Sequence, residues 1–126
     1  MPPPLTNQEL AIMQVVWDRD PVTVRDVYEA LRERRRIAYT TVLTMMQVLE
    51  RKGHLEVSRD QRAHVYRPTS TRQRALRDMV RDFVDRVFGG AAEPLVQHLI
   101  RDHRLTEADV REIARHLKKT EHGNDA

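Results

Sequence analysis

The apolar positions along the chain change their period twice. From about Asn7 to Asp18, Leu10, Met13 and Trp17 recur at helical spacing, and Asp20-Pro21 ends the run. A second helical run covers about Val24 to Arg34, with Val27, Tyr28 and Leu31 on its apolar side. A third covers about Thr40 to Lys52, and Gly53 is placed to cap it. The period then drops to two. Leu55, Val57 and Arg59 alternate, as do Ala63, Val65 and Arg67 after the polar turn Asp60-Gln61-Arg62. This predicts a β-hairpin ended by Pro68. Helical spacing returns from about Arg72 to Phe88 through Leu76, Met79, Val80, Phe83, Val84, Val87 and Phe88. Gly89-Gly90 breaks it. A short helix with Leu95, Val96, Leu99 and Ile100 follows, then a last one from Glu107 with Val110, Ile113, Ala114 and Leu117, fraying into a polar tail.

Three helix starts share one signature. Thr6-x-x-Glu9, Thr23-x-x-Asp26 and Thr106-x-x-Asp109 each place a hydroxyl at the N-cap and a carboxylate three residues on, the spacing of a capping box. Apolar pairs flank them at the spacing of a hydrophobic staple: Leu5 with Leu10, Val22 with Val27, Leu105 with Val110.

The expected fold is mainly α with a small β wing. The order of two helices and a two-stranded hairpin is that of a winged helix-turn-helix, so residues 1–70 would form such a domain and residues 71–126 a helical dimerisation arm. The arm is short for the apolar surface it carries, and so small a piece buries its own surface poorly. Either it packs on the first domain or a second copy supplies the other half. The length and two-sided pattern of the helix from Arg72 favour the second copy, so a homodimer is expected. The positions expected at that contact are Leu76, Val80, Phe83, Val84, Val87, Leu95, Leu99, Ile113 and Leu117.

Composition narrows the chemistry. The net charge of +3 is spread evenly, so any nucleic-acid reading rests on where the cations sit rather than on their number. With no cysteine, disulfides and thiolate metal sites are ruled out. Met1-Pro2-Pro3-Pro4 lacks a basic segment followed by an apolar one, and no run approaches the roughly 18 apolar residues of a membrane span. A cytoplasmic protein without membrane contact is the default expectation. His98, His103, His116 and His122 do not fall at the spacing of a ligand set and read as surface residues. Gly89-Gly90 is a helix break, not a phosphate loop. Ser58 and Ser70 have no readable base partner, so no enzyme and no cofactor are expected.

The third helix carries the functional signal. Stepping about 100° per residue from Thr40 places Thr44, Gln47 and Arg51 in one narrow stripe, with Val42, Met45, Met46 and Leu49 opposite. One side is core and the other is a row of hydrogen-bonding groups. Thr40, Thr41, Val42 and Thr44 are β-branched and cost helix propensity, so the helix start breaks a local rule where function can require it. A threonine hydroxyl reaches a phosphate or base edge and its methyl meets that of thymine. Arg51 and Lys52 end the helix, and Arg62 sits at the hairpin tip, where a wing touches DNA backbone. Arg59 and Arg67 are close by, while Arg32, Arg34, Arg35 and Arg36 equally suit the negative end of the second helix.

These residues resemble the penicillinase-repressor (BlaI/MecI) family of bacterial transcription regulators. The likeness lies in Leu5-Thr6-x-x-Glu9-x-x-Ile12-Met13-x-x-x-Trp17, in Pro21-x-Thr23-Val24-x-Asp26-Val27 and in Ala38-Tyr39-Thr40-Thr41-Val42-x-Thr44-Met45. It continues in Leu49-x-x-Lys52-Gly53 and Tyr66-x-Pro68, and more weakly to Leu117. The resemblance implies a winged-helix reader of double-stranded DNA, a helical dimerisation arm, and repression of operators with dyad symmetry, including those of β-lactamase or other antibiotic-response genes. It also implies DNA contacts at Thr40, Thr41 and Thr44 and near Arg62. In some members a membrane sensor protease, acting indirectly, triggers cleavage of the arm between an asparagine and a phenylalanine. The corresponding bond here is His98–Leu99, and that departure puts the same cleavage rule in doubt. A branch of the family senses copper through C-terminal cysteines, which this chain lacks. Two other readings remain beside the repressor: a winged-helix protein-docking module, which calls for exposed apolar anchors on the third helix, and a ligand-sensing repressor.

Overall fold

The computed structural model describes residues 4–60 and 62–124, with side chains to residue 119. Gln61 of the expected hairpin turn and the side chain of His122 lie outside them. The order is α1 (Asn7–Arg19), α2 (Val24–Arg32), α3 (Tyr39–Arg51), β1 (Leu55–Ser58), β2 (Val65–Pro68), α4 (Arg72–Phe88), α5 (Glu93–Arg101) and α6 (Glu107–Asn124). The chain divides into two compact units, Met1–Val80 and Arg81–Ala126, so the division falls inside α4.

In the first unit, α1, α2, α3 and the hairpin close on one core. Ile12, Met13 and Val16 of α1 meet Val24, Val27 and Leu31 of α2, and Val42, Met46 and Leu49 of α3. Val22, Leu55 and Tyr66 complete it. The capping boxes at Thr6 and Thr23 are both formed. α3 ends in a Schellman arrangement: Gly53 at φ 90 lets its N–H donate to Glu50 O and the His54 N–H to Leu49 O.

β1 and β2 pair antiparallel, with Leu55 opposite Pro68 and Val57 opposite Tyr66. Val22 adds an isolated rung on β2. Its N–H donates to Tyr66 O at 3.0 Å, and its carbonyl accepts the Tyr66 N–H at 2.7 Å. Tyr66 is thus held on both backbone edges and is buried, with burial first and Glu50 second pushing its phenol up.

The buried faces depart from the sequence expectations in three places. In α1 the core side is Ile12, Met13 and Val16; Leu10 and Trp17 are only half-buried. Trp17 lies at the margin because its indole N–H donates to Ser70 O at 3.0 Å. In α2 and α3, Tyr28 and Met45 pack on the core edge rather than inside it. In β2 the buried residue is Tyr66, since the pairing with Val57 and Val22 turns it inward and the period of two sends Val65 to the other face.

The root of α4 belongs to the first unit. Ala75 is buried there, and the Arg72 guanidinium donates to Gln14 Oε1 at 3.1 Å and to Asp18, while lying 5.8 Å above the Trp17 ring. The second unit has a different character. The Thr106–Asp109 capping box starts α6. Yet no described side chain from Arg81 onward is buried. Among the described residues, no helix is long and apolar enough to cross a membrane.

Candidate nucleic-acid interface

α3 separates its residues by face. Val42, Met46 and Leu49 have no solvent exposure, whereas Thr40, Thr41, Thr44, Gln47 and Arg51 are all exposed. The helical period does this: one side is committed to the core, so the residues about half a turn away must face out. The outward row is free of large apolar side chains.

The start of α3 is fixed by rings rather than by a cap. Ala38, the N-cap, supplies no side-chain acceptor. Tyr39 instead meets Tyr28 of α2 edge to face at 5.6 Å, and the Arg25 guanidinium stands 5.7 Å over Tyr39. The Tyr39 and Thr40 N–H groups are left for an outside acceptor, while the Thr41 N–H already donates to Ala38 O at 3.1 Å. Sequence reasoning missed the contribution of Arg25, because only folding brings the start of α2 against Tyr39.

A cleft of about 430 Å³ opens beside this helix start. Thr23 and Arg25 of α2, Tyr39 and Leu43 of α3, and Arg62 and His64 of the hairpin line it. Arg62 thus lines the same cleft as Arg25. Arg67 is exposed on β2, while Arg59 is engaged with both carboxylate oxygens of Glu50 at 3.3 Å.

Lys52 stands apart from the other residues expected to meet DNA. It turns away from the exposed stripe and donates to both oxygens of Glu9 at 2.9 Å. Glu9 is only 4% exposed and also accepts the Thr6 N–H at 2.8 Å. Burial pushes the Glu9 carboxyl up, but the Thr6 hydrogen bond and the Lys52 ammonium outweigh it and hold the group below its ordinary value of 4.5. A carboxyl held down in the folded state stabilises above its unfolded pKa and ceases to as the pH falls through the folded one. Glu9→Gln should therefore cost on the order of 1–3 kcal/mol at pH 7. That gap to wild type should close as the pH falls from 4.5. Denaturant midpoints at pH 7 and pH 3 measure it, and an equal gap at both would count against the ion pair.

The residues expected at a dimer contact are spread along the last three helices. Val80, Phe83, Val87, Leu99, Ile113 and Leu117 are exposed, from 37% to 60%, while Leu76, Val84 and Leu95 are half-buried. His98 lies 6.1 Å from the Phe88 ring. The His98–Leu99 bond is inside α5, where His98 O accepts the Asp102 N–H and Leu99 O that of Arg104, both at 3.0 Å. Cutting there requires α5 to open locally first.

The chain is similar to known proteins. The transcriptional regulator BlaI of Mycobacterium tuberculosis is 35% identical over 122 residues, covering 95% of this chain and 88% of that protein. The penicillinase repressor of Bacillus licheniformis is 24% identical over 122 residues, covering 97% and 94%. The solution structure of the DNA binding domain of the repressor BlaI matches with a TM-score of 0.52 at 26% identity, over 57% of this chain and 88% of that one. The monomeric form of Bacillus licheniformis BlaI, solved in complex with the blaP half-operator, matches with a TM-score of 0.51 at 26% identity, over 58% and 89%. The family model described as penicillinase repressor spans residues 5–119, and this chain belongs to that family.

Proposed function

We propose that this chain is a DNA-binding transcriptional repressor, not an enzyme, which acts in the cytoplasm as a homodimer on operators with dyad symmetry. The observation that carries the reading is the divided face of α3, with Thr40, Thr44, Gln47 and Arg51 outward and Val42, Met46 and Leu49 in the core. A helix of that kind enters a major groove with short side chains at its leading end and long ones behind. Thr40, Thr41 and Thr44 meet base edges or the first phosphates, Gln47 reads a base, and Arg51 reaches backbone or guanine. Arg62 meets the backbone beside the groove, and the cleft it shares with Arg25 seats that strand. The bulk of this contact is electrostatic and falls with salt; the α3 stripe supplies the preference among sequences.

Residues 1–70, with the root of α4, form the reader. The remainder forms the dimerisation arm, through Leu76, Val80, Phe83, Val84, Val87, Leu95, Leu99, Ile113 and Leu117. The family and the relatives named penicillinase repressor and methicillin resistance regulatory protein favour β-lactamase or related antibiotic-response genes as targets. Release by cleavage at His98–Leu99 would be gated by the opening of α5.

The test is selection of bound sequences from a random duplex library at moderate and then higher salt. The expected result is a dyad whose half-sites lie about one helical turn, or a multiple of it, apart. On the selected duplex, Thr44→Ala should cost about 1 kcal/mol or more, and on random duplex much less. Equal losses on both would deny Thr44 a base contact. Retention without any enriched sequence would reduce the protein to a non-specific binder, and no retention would favour a docking module.

A further inference from the structure

Lys52 and Glu9 tie together parts of the chain that lie 43 residues apart. Glu9 is the N3 residue of α1 and Lys52 the C-cap of α3. One carboxylate thus serves two helix ends. It accepts the Thr6 N–H that closes the α1 capping box and holds the ammonium that follows the last turn of α3. At the other end of α3, the Tyr28–Tyr39 ring pair fixes the start.

Resting on the reading of α3 as the recognition helix, we propose that Lys52 is a positioning residue: with Glu9 it locks the trailing end of α3 to α1, and so sets how deeply Gln47 and Arg51 reach into the groove. The geometry speaks against a direct phosphate contact. If Lys52 swung out to DNA, Glu9 would be left charged and buried without its partner, which is far costlier than an exposed phosphate contact is favourable. The pair is also neutral as a whole and adds nothing to long-range attraction for DNA.

Leverage explains why the trailing end matters. α3 has 13 residues and is about 20 Å long. Tilting it by about 5° around the Tyr39 end carries the Lys52 end through roughly 2 Å. The same tilt moves Gln47, about 12 Å from the pivot, through roughly 1 Å, and a base-edge hydrogen bond lengthened by about 1 Å is lost. Thr40 and Thr41, close to the pivot, would hardly move. Loss of the lock should therefore erode sequence preference at the positions read by Gln47 and Arg51 and spare those read by the threonines.

Titrations of the full-length protein on its selected duplex and on random duplex, across a series of salt concentrations, test this. Lys52→Met removes the ammonium. Glu9→Gln removes the charge while keeping a residue that completes a capping box. The double variant removes the pair without burying a lone charge, so it stays folded where a single variant does not, as a thermal melt will show. Each of the three should lower the preference for the selected duplex by about tenfold, with the double no worse than the singles because both lesions break one interaction. On random duplex the slope of log affinity against log salt should stay that of wild type. A slope reduced by about one in Lys52→Met, with preference intact in Glu9→Gln, would mean that Lys52 meets a phosphate and would overturn the proposal. A folded double variant with wild-type preference would overturn it as well. A wild-type protein that selects no sequence would instead remove the reading of α3 itself, and this inference with it.

Discussion

Full-length protein carrying Val80→Asp together with Val87→Asp should sediment as a monomer, and its affinity for a dyad operator should fall by about two to four orders of magnitude. Both valines are 57% exposed, and their i, i+7 spacing puts them on one side of α4. The second unit gives the physical reason. None of its described side chains is buried, although Phe83, Val87, Val96, Leu99, Ile100, Val110, Ile113 and Leu117 are large, apolar and at least 36% exposed. So much exposed apolar surface favours a second copy as the missing half of the core, as in the proposed dimer. Two aspartates in such a contact must be desolvated without partners.

The operator effect follows from linkage between two readers. A dimer binds its second half-site at the high local concentration set by its own geometry, and a monomer forfeits that. Affinity for an isolated half-site should stay within a few-fold of wild type, because α3 and the hairpin lie in the unit that keeps its own core. Sedimentation velocity and half-site titration separate the two effects. An unchanged dimer would place the contact on another surface; lost half-site binding would mean that the substitutions had damaged the reader.

Leu49→Ala should do the reverse, destabilising the reader while leaving its chemistry in place. Leu49 has no exposure and lies where α3 meets the core. Truncating a fully buried leucine costs about 2–5 kcal/mol, through lost transfer energy and the cavity left behind. For a unit of this size, each kcal/mol is worth about 4–8 °C in Tm, so the melting transition should fall by roughly 8–40 °C. Thr44→Ala, on the opposite side of the same helix and exposed, should leave Tm nearly unchanged while reducing preference. Calorimetry of the two variants is the check. A large Tm loss in Thr44→Ala, or a small one in Leu49→Ala, would mean that α3 presents a different face to the core.

Much of this was legible along the chain, for local reasons. The boxes at Thr6, Thr23 and Thr106 involve partners three residues apart, and each forms with donor–acceptor distances of 2.8–3.2 Å. The α3 stripe was readable because a helix with one side in the core has no freedom over where the other side points. The span of α4, Arg72 to Phe88, was readable because Gly89-Gly90 cannot continue it. What escaped was long-range. Which face of the second strand is buried could not be read, since nothing nearby in sequence reveals that Val22 would pair with Tyr66. Ile12 and Val16 were passed over in favour of Leu10 and Trp17, because a short helix allows more than one apolar side until its neighbours are placed.

The sequence by itself determined where helices begin, where the period changes from helix to strand, which side of α3 carries polar groups, and that the C-terminal helices hold more apolar surface than they can cover. These follow from interactions within a turn or two of helix, or from counting. Only the tertiary structure decided what each cation does. Lys52 and Arg51 are adjacent and carry the same charge, yet one is tied to a buried carboxylate near the start of the chain and the other is left exposed. Arg72 is spent on Gln14, Asp18 and Trp17, and Arg59 on Glu50, while Arg62 stays exposed beside Arg25. A charge has no preferred direction along a sequence, and its role is set by which opposite charge, ring or solvent the fold brings within a few ångströms.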